Sequence, residues 1–188
     1  MAEKEFINRA KLNDDFAFEQ LVHLYKPYVE KLAFQFGMRP DSIPDVVQDT
    51  FIKIHQNIRQ FERGKFSTWV YQITLNTVRD HYRKKQREWR IFQRAAEEER
   101  LWLPGNFRFT HENHDLLHKA MKKLDEKYRI PIILFYFHNR SYEEIGIIMN
   151  IKLSTVKTRM YRGRERLKVI YEKLEREEAE ADGRQTFG

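Results

Sequence analysis

The chain contains no cysteine among its 188 residues, which removes disulfides, thiol nucleophiles and thiolate metal sites together. Glycine and proline are scarce, at seven and five, and the apolar residues recur mainly at three- and four-residue spacing. The chain therefore reads as nearly all helix. No apolar run approaches the roughly 20 residues of a membrane-spanning helix. The opening MAEKEFINRAKLNDD is charged and lacks the apolar stretch of a signal peptide. A soluble, cytoplasmic protein is the expectation. No repeat of solenoid period occurs. Gly64 and Gly163 are isolated, no phosphate loop exists, and no nucleophile sits in a recognisable motif. No enzyme, no catalytic residue, no cofactor and no small-molecule substrate is expected.

What the chain has in excess is positive charge. The formal net charge is +7 and the isoelectric point is near 9.5, a balance that favours a polyanionic partner or simply solubility. The cations are bunched: Arg79 to Arg94 and Lys152 to Lys168 are dense, whereas Glu172 to Asp182 is acidic. Two separate basic segments suggest two contacts with nucleic acid.

Between Ser141 and Leu167, SYEEIGIIMNIKLSTVKTRMYRGRERL, an acid-led helix, a short polar turn and a basic helix follow one another. In the first helix Ile145 and Ile148 fall at helical spacing beside Tyr142 and Met149, and Gly146 leaves room for a second helix to cross closely. In the second, Ser154 is placed to cap, and Val156, Met160 and Leu167 face inward. Lys157, Thr158, Arg159, Tyr161, Arg162, Arg164 and Arg166 are then outward, where cations meet phosphates and a few side chains reach base edges. The competing interpretation is an ordinary helical hairpin with a solvated basic face.

Upstream, Phe18, Leu21, Val22, Tyr25, Val29, Leu32 and Phe36 form one wide apolar stripe, interrupted by Pro27, where a bend or a restart is expected. Gly37 closes this element and Asp41-Ser42-Ile43-Pro44 opens the next. There Val47, Phe51, Ile54 and Ile58 face one way, and Asp45, Gln48, Asp49, Lys53 and Gln56 the other. A break at Phe61 to Lys65 leads into a long helix from Ser67 to about Arg87, capped by Ser67 or Thr68. Its packing candidates are Trp69, Val70, Ile73, Thr77 and Tyr82. From Glu88 to Asn113 periodicity fades, and Pro104-Gly105-Asn106 signals a turn. A linker is expected there, with Trp89, Phe92, Trp102, Phe107 and Phe109 as aromatics able to dock on something. Helical pattern resumes from His114.

Read together, two segments resemble one family. Asp45 to Arg87, with its Phe-Ser-Thr-Trp run followed by Asn76 and Asp80, resembles region two of bacterial RNA polymerase sigma factors. Leu124 to Leu167, with Ser-Thr-Val-Lys-Thr-Arg, resembles their region four. Order and spacing match the extracytoplasmic-function group, which keeps only these two domains. The resemblance implies an all-α fold of two small helical domains: region two over residues 1–87, a linker over 88–113 and region four over 114–174. The acidic tail that follows, over 175–188, is expected to be disordered.

It also implies function. An alternative sigma factor binds core RNA polymerase and directs promoter-specific initiation, docking on the clamp helices of the largest subunit and the flap of the second-largest. The clamp contact falls on Asp45, Gln48, Asp49, Ile52 and Lys53. The minus-ten element would be read and opened by Phe61, Lys65, Phe66, Trp69, Gln72, Asn76, Arg79, Arg83 and Lys84, with Asn76 as the amide that holds a flipped base. For Trp69, an aromatic at helical spacing from Ile73, core packing is the stronger reading, while Phe61 and Phe66 stand closer to even between core and base contact. The minus-thirty-five element would fall to Ser154, Thr155, Lys157, Thr158, Arg159, Tyr161, Arg162 and Arg164, with Lys157, Thr158 and Tyr161 facing bases. The family implies an anti-sigma factor, often membrane-anchored, that covers these surfaces. Two departures stand out: Asp125 replaces a proline usual before Lys-Tyr-Arg, and Lys152-Leu153 replaces a turn ending in glycine.

The rivals differ in what they lack. A stand-alone DNA-binding regulator would not need the N-terminal opening-loop pattern, and a scaffold using the aromatic linker would not bind DNA. His111, His114 and His118 invite a metal, but no catalytic signature accompanies them, so no metal site is expected. Shielding of the basic helix by the acidic tail stays open.

Overall fold

A computed structural model of the protein describes residues 2–92 and 113–185. The described residues are helical, with no strand among them, and the chain divides into two units, Met1–Pro104 and Gly105–Gly188.

The first unit holds four helices: α1 (Ala2–Ala10), α2 (Asp15–Gln35), α3 (Ile43–Asn57) and α4 (Phe66–Phe92), with 3-10 turns at Pro40–Ser42 and Ile58–Gln60. Asp14 starts α2 by accepting the Ala17 amide at 3.0 Å, which satisfies one of the orphan donors of the first turn. The helix then passes Pro27 without restarting. It ends where Gly37 takes φ +96, so that the Met38 amide reaches the Ala33 carbonyl and the Gly37 amide that of Phe34, the paired closure a left-handed residue permits. Leu21, Tyr25 and Val29 of α2 meet Val47, Phe51 and Ile54 of α3 and Phe66 and Val70 of α4, with Ile7 and Ala10 of α1 closing one side. Each such large side chain removed from water contributes about 1.5–3 kcal/mol. Along α4, Val70 and Thr77 are buried as the spacing suggests, but Tyr71, Leu75 and Val78 are buried too. This helix packs on both α2 and α3, and two buried faces defeat a single-stripe reading.

The second unit holds α5 (Asn113–Lys123), α6 (Glu126–His138), α7 (Tyr142–Met149) and α8 (Leu153–Gln185). The run Ile130 to Leu134, Pro131 included, is wholly buried. Leu116 and Ala120 of α5 close with Leu174 of α8, flanked by Leu167, Ile170 and Tyr171.

Two boundaries differ from those read in the sequence. The helix expected to stop near Arg87 runs to Phe92. The acidic tail expected to be disordered from residue 175 continues α8 to Gln185. Glutamate, arginine and alanine are good helix formers, and ion pairs of Lys119 with Glu178 at 2.6 Å and Lys173 with Glu177 at 3.7 Å add to the helix. Trp102, Phe107, Phe109 and His111 lie outside the described residues, as do the side chains of Trp89, Phe92, His114 and His118. Among the described residues, no helix is long and apolar enough to cross a membrane.

Candidate nucleic-acid interface

In the second unit, α7 opens on a reciprocal cap. Ser141 Oγ accepts the Glu144 amide at 3.2 Å, and Glu144 Oε2 accepts the Ser141 amide at 2.9 Å, so both ends of the first turn are satisfied. A Cβ on Gly146 would stand 3.0 Å from the Ile151 carbonyl oxygen and 3.7 Å from Val156 Cγ2. Glycine is what lets the turn and α8 come this close. Asn150 adopts the left-handed conformation, φ 53, which asparagine tolerates better than most residues. It ends α7, its amide reaching the Gly146 and Ile147 carbonyls.

Ser154 is not the cap. The helix α8 begins at Leu153, and its first bond runs from the Val156 amide to the Lys152 carbonyl at 3.1 Å. Ser154 therefore sits inside the first turn, where its carbonyl accepts Thr158 Oγ1 at 3.0 Å. The apolar side of α8 is buried through Val156 and Met160. Gly163 is buried as well, with Ile132 and Tyr128 against it. That fixes the opposite side outward: Ser154, Lys157, Thr158, Tyr161, Arg162 and Arg164 are exposed, and Thr155 and Arg159 are half-buried. Not every cation of α8 belongs to this face. Arg166 reaches Asp125 at 3.2 Å and lies 4.8 Å over the Tyr128 ring. Asp125, the departure from the family's proline, is thus a partner for α8. Arg164, exposed on the outward face, also has the Tyr136 hydroxyl as a hydrogen-bond partner, which raises its already high pKa.

In the first unit an aromatic cluster leads into α4. Phe61 lies 5.2 Å from Phe66 and 5.4 Å from Trp69, and Phe66 lies 5.5 Å from Trp69. Phe66 is 4% exposed and belongs to the core. Phe61 and Trp69 are half-buried at its rim, and Lys65 is exposed beside them. From Trp69 onward, Gln72, Asn76, Arg79 and Arg83 recur at three and four residues, one stripe of the helix. Asn76, Arg83 and Lys84 are exposed; Gln72 and Arg79 are half-buried. Two neighbouring residues of α4 hold the fold instead. Tyr82 donates its hydroxyl to the Gly37 carbonyl, and Lys85 donates to Ser42 Oγ at 2.6 Å.

The outer face of α3 is half-committed to α4. Asp49 meets His81 Nε2 at 2.8 Å and Lys53 meets Asp80 at 2.8 Å, while Asp45, Gln48 and Ile52 remain exposed. Gln48 and Ile52 border an open apolar groove of about 600 Å³, whose far wall is Phe18 and Val22 of α2. The apolar stripe of α2 contains both residues, yet the stripe alone does not show that part of it is left for a groove.

A helix-turn-helix with an outward basic face, in a chain whose other unit carries an aromatic loop and an amide-bearing helix, defines a DNA-binding protein of the transcription machinery. Residues 21–88 match the family model for sigma-70 region 2, and residues 114–167 that for sigma-70 region 4. The chain is 34% identical over 176 residues to the ECF RNA polymerase sigma factor SigW of Bacillus subtilis (strain 168), covering 88% of this chain and 94% of that protein. It is 28% identical over 176 residues to the ECF RNA polymerase sigma-E factor of Escherichia coli (strain K12), covering 88% and 92%. Among solved structures, the sigma factor RpoE in complex with the anti-sigma factor NepR from Bartonella quintana superposes with a TM-score of 0.67 at 27% identity, over 82% of this chain and 96% of that one. CnrH, in complex with the cytosolic domain of CnrY, shares the fold with a TM-score of 0.67 at 24% identity, over 92% and 98%. The chain belongs to the ECF RNA polymerase sigma factors, proteins that bind core RNA polymerase and direct promoter-specific initiation.

Proposed function

We propose a division of labour in which the first unit docks on polymerase and opens the minus-ten element, while the second unit holds the minus-thirty-five duplex. The observation that carries the reading is the α4 stripe from Trp69 through Gln72, Asn76 and Arg79 to Arg83, which starts at the aromatic cluster. A base leaving the stack needs an apolar or aromatic rim and an amide for its edge. Phe61 and Trp69 supply the rim and Asn76 the amide, while Lys65, Arg79, Arg83 and Lys84 follow the backbone. Phe66, being core, supports the loop from beneath and is not assigned a DNA contact. In the second unit Lys157, Thr158 and Tyr161 face bases, and Arg159, Arg162 and Arg164 meet phosphates.

Docking on the clamp helices of the largest subunit uses Asp45, Gln48, Asp49, Ile52 and Lys53, and the second unit meets the flap of the second-largest subunit. The chain works in the cytoplasm, where polymerase and template are, and leaves the chemistry to polymerase. An anti-sigma factor holds it inactive: the similar sigma factor from Bartonella quintana is solved with its anti-sigma factor bound, and the basic, apolar-edged surfaces here suit an acidic amphipathic partner.

The test is to mix the purified chain with core RNA polymerase and a library of random duplexes. Co-elution at modest salt and transcripts from a shared promoter sequence are expected. A chain that bound duplex but never joined polymerase would be a stand-alone regulator instead.

A further inference from the structure

The turn joining α1 to α2 precedes the matched span, which begins at residue 21, and no role attaches to it so far. It is built to keep one shape. Asn13 is left-handed at φ 64, and Asp14 Oδ2 takes Arg9 Nε at 2.8 Å while Oδ1 accepts the Ala17 amide. The Ala17 amide and then Arg9 hold the Asp14 carboxyl below its usual range. The turn also touches the loop assigned above to strand opening. Arg59 Nε donates to the Lys11 carbonyl at 3.3 Å, and the Lys11 ammonium lies 5.5 Å from the centroid of the Phe61 ring. Leu12, the next residue, is 81% exposed. One exposed leucine or lysine on a surface means little. A cation held against the aromatic ring of an opening loop whose own stretch of chain carries the exposed Arg59, Arg63 and Lys65 is a different matter.

We propose that Lys11 is a further DNA-binding residue, contacting the backbone phosphate of the melted strand whose base is taken up beside Phe61. The inference rests on the strand-opening reading of the loop. The ammonium of the half-buried Lys11 gains less from an aromatic ring near the surface than a base gains by stacking on the same ring. The incoming base takes over the ring surface that Lys11 covers and brings its own phosphate. The ammonium then moves from ring to phosphate on its flexible stem while the backbone of the turn stays in place.

The experiment uses holoenzyme reconstituted from the full chain and core polymerase, with the fluorescent non-template single strand of a promoter selected from the random library. Lys11→Ala is expected to weaken strand binding about fivefold at roughly 0.1 M salt and to lower the slope of log affinity against log salt by about 0.7, the loss of one single-strand phosphate contact. Lys11→Arg should restore the slope, and Lys11→Gln, which keeps the stem but not the charge, should not. An unchanged slope for Lys11→Ala and Lys11→Gln, with normal binding by the wild type, overturns the proposal and leaves the loop reading intact. A Phe61→Ala holoenzyme that opens promoters as the wild type does overturns the loop reading, and this inference with it.

Discussion

The two units commit the side chains proposed to face DNA to the fold to different degrees. In the second, Lys157, Tyr161 and Arg162 stand exposed on α8, held in place because Val156, Met160 and Gly163 are buried on the other side. Their position comes from the helix, so the side chains themselves can change without loss of structure. In the first, Trp69 and Phe61 pack on the core residue Phe66, and Asp49 and Lys53 on the proposed docking face already bind α4. Here the proposed recognition and the stability of the fold draw on the same atoms. A duplex can be held by a finished surface, whereas a base extracted from its stack needs an apolar receptacle, and such a receptacle is part of a core.

The largest effects test whether the units are separate cores. Leu21 and Leu134 are 1% and 0% exposed, and truncating either to alanine should cost about 2–5 kcal/mol. Hydrogen exchange resolved by peptide should show Leu21→Ala loosening the helices of the first unit alone and Leu134→Ala those of the second unit alone. Spread of either effect into the other unit would end the comparison.

Next come the recognition residues. Trp69→Ala should lower the melting temperature of the first unit, at about 2 kcal/mol for a half-buried aromatic, and weaken promoter opening with it. Lys157→Ala should leave the melting temperature unchanged and weaken minus-thirty-five duplex binding about tenfold, roughly 1.4 kcal/mol, within the range of one base contact. If Trp69→Ala spares stability, or Lys157→Ala costs it, the contrast between the units is wrong.

How much of this was readable in the sequence follows the same division. The helix-turn-helix could be placed by residue because its signals are local: Gly146 for the close crossing, three- and four-residue spacing for Ile145, Ile148, Val156 and Met160, and a basic remainder. Ser154 looks like a cap because it is a serine before a periodic run, whereas Lys152 provides the first carbonyl. In the first unit the outer face of α3 was readable, but its pairing with Asp80 and His81 was not, since those partners are about thirty residues away. Leu75 and Val78 were missed because α4 packs on two neighbours, and the contact of Lys11 with Phe61 has no sequence pattern. The charge of the acidic tail alone suggests disorder, while its helix formers and ion pairs favour continuation of α8.

Capping offers a smaller effect. Ser141→Ala removes the reciprocal cap of α7 and should cost about 1 kcal/mol, read as a lower urea midpoint with an unchanged slope. Ser154→Ala, which removes a hydroxyl inside the first turn of α8, should be nearly neutral in the same measurement. Equal costs would restore Ser154 as a cap.

The smallest effect is at the pair of Lys53 and Asp80, 2.8 Å apart with side chains 39% and 54% exposed. Solvent screens such a pair, so a double-mutant cycle of Lys53→Ala and Asp80→Ala should give a coupling of about 0.2–1 kcal/mol that shrinks in high salt. The same cycle carried out on polymerase affinity separates two uses of Lys53. If docking draws Lys53 away from Asp80, Asp80→Ala alone should raise polymerase affinity slightly, because the lysine no longer has to leave a partner. If docking uses the pair as it stands, Asp80→Ala should lower affinity, and the face shared by α3 and α4 would be one surface in which the promoter-reading helix already takes part in holding polymerase.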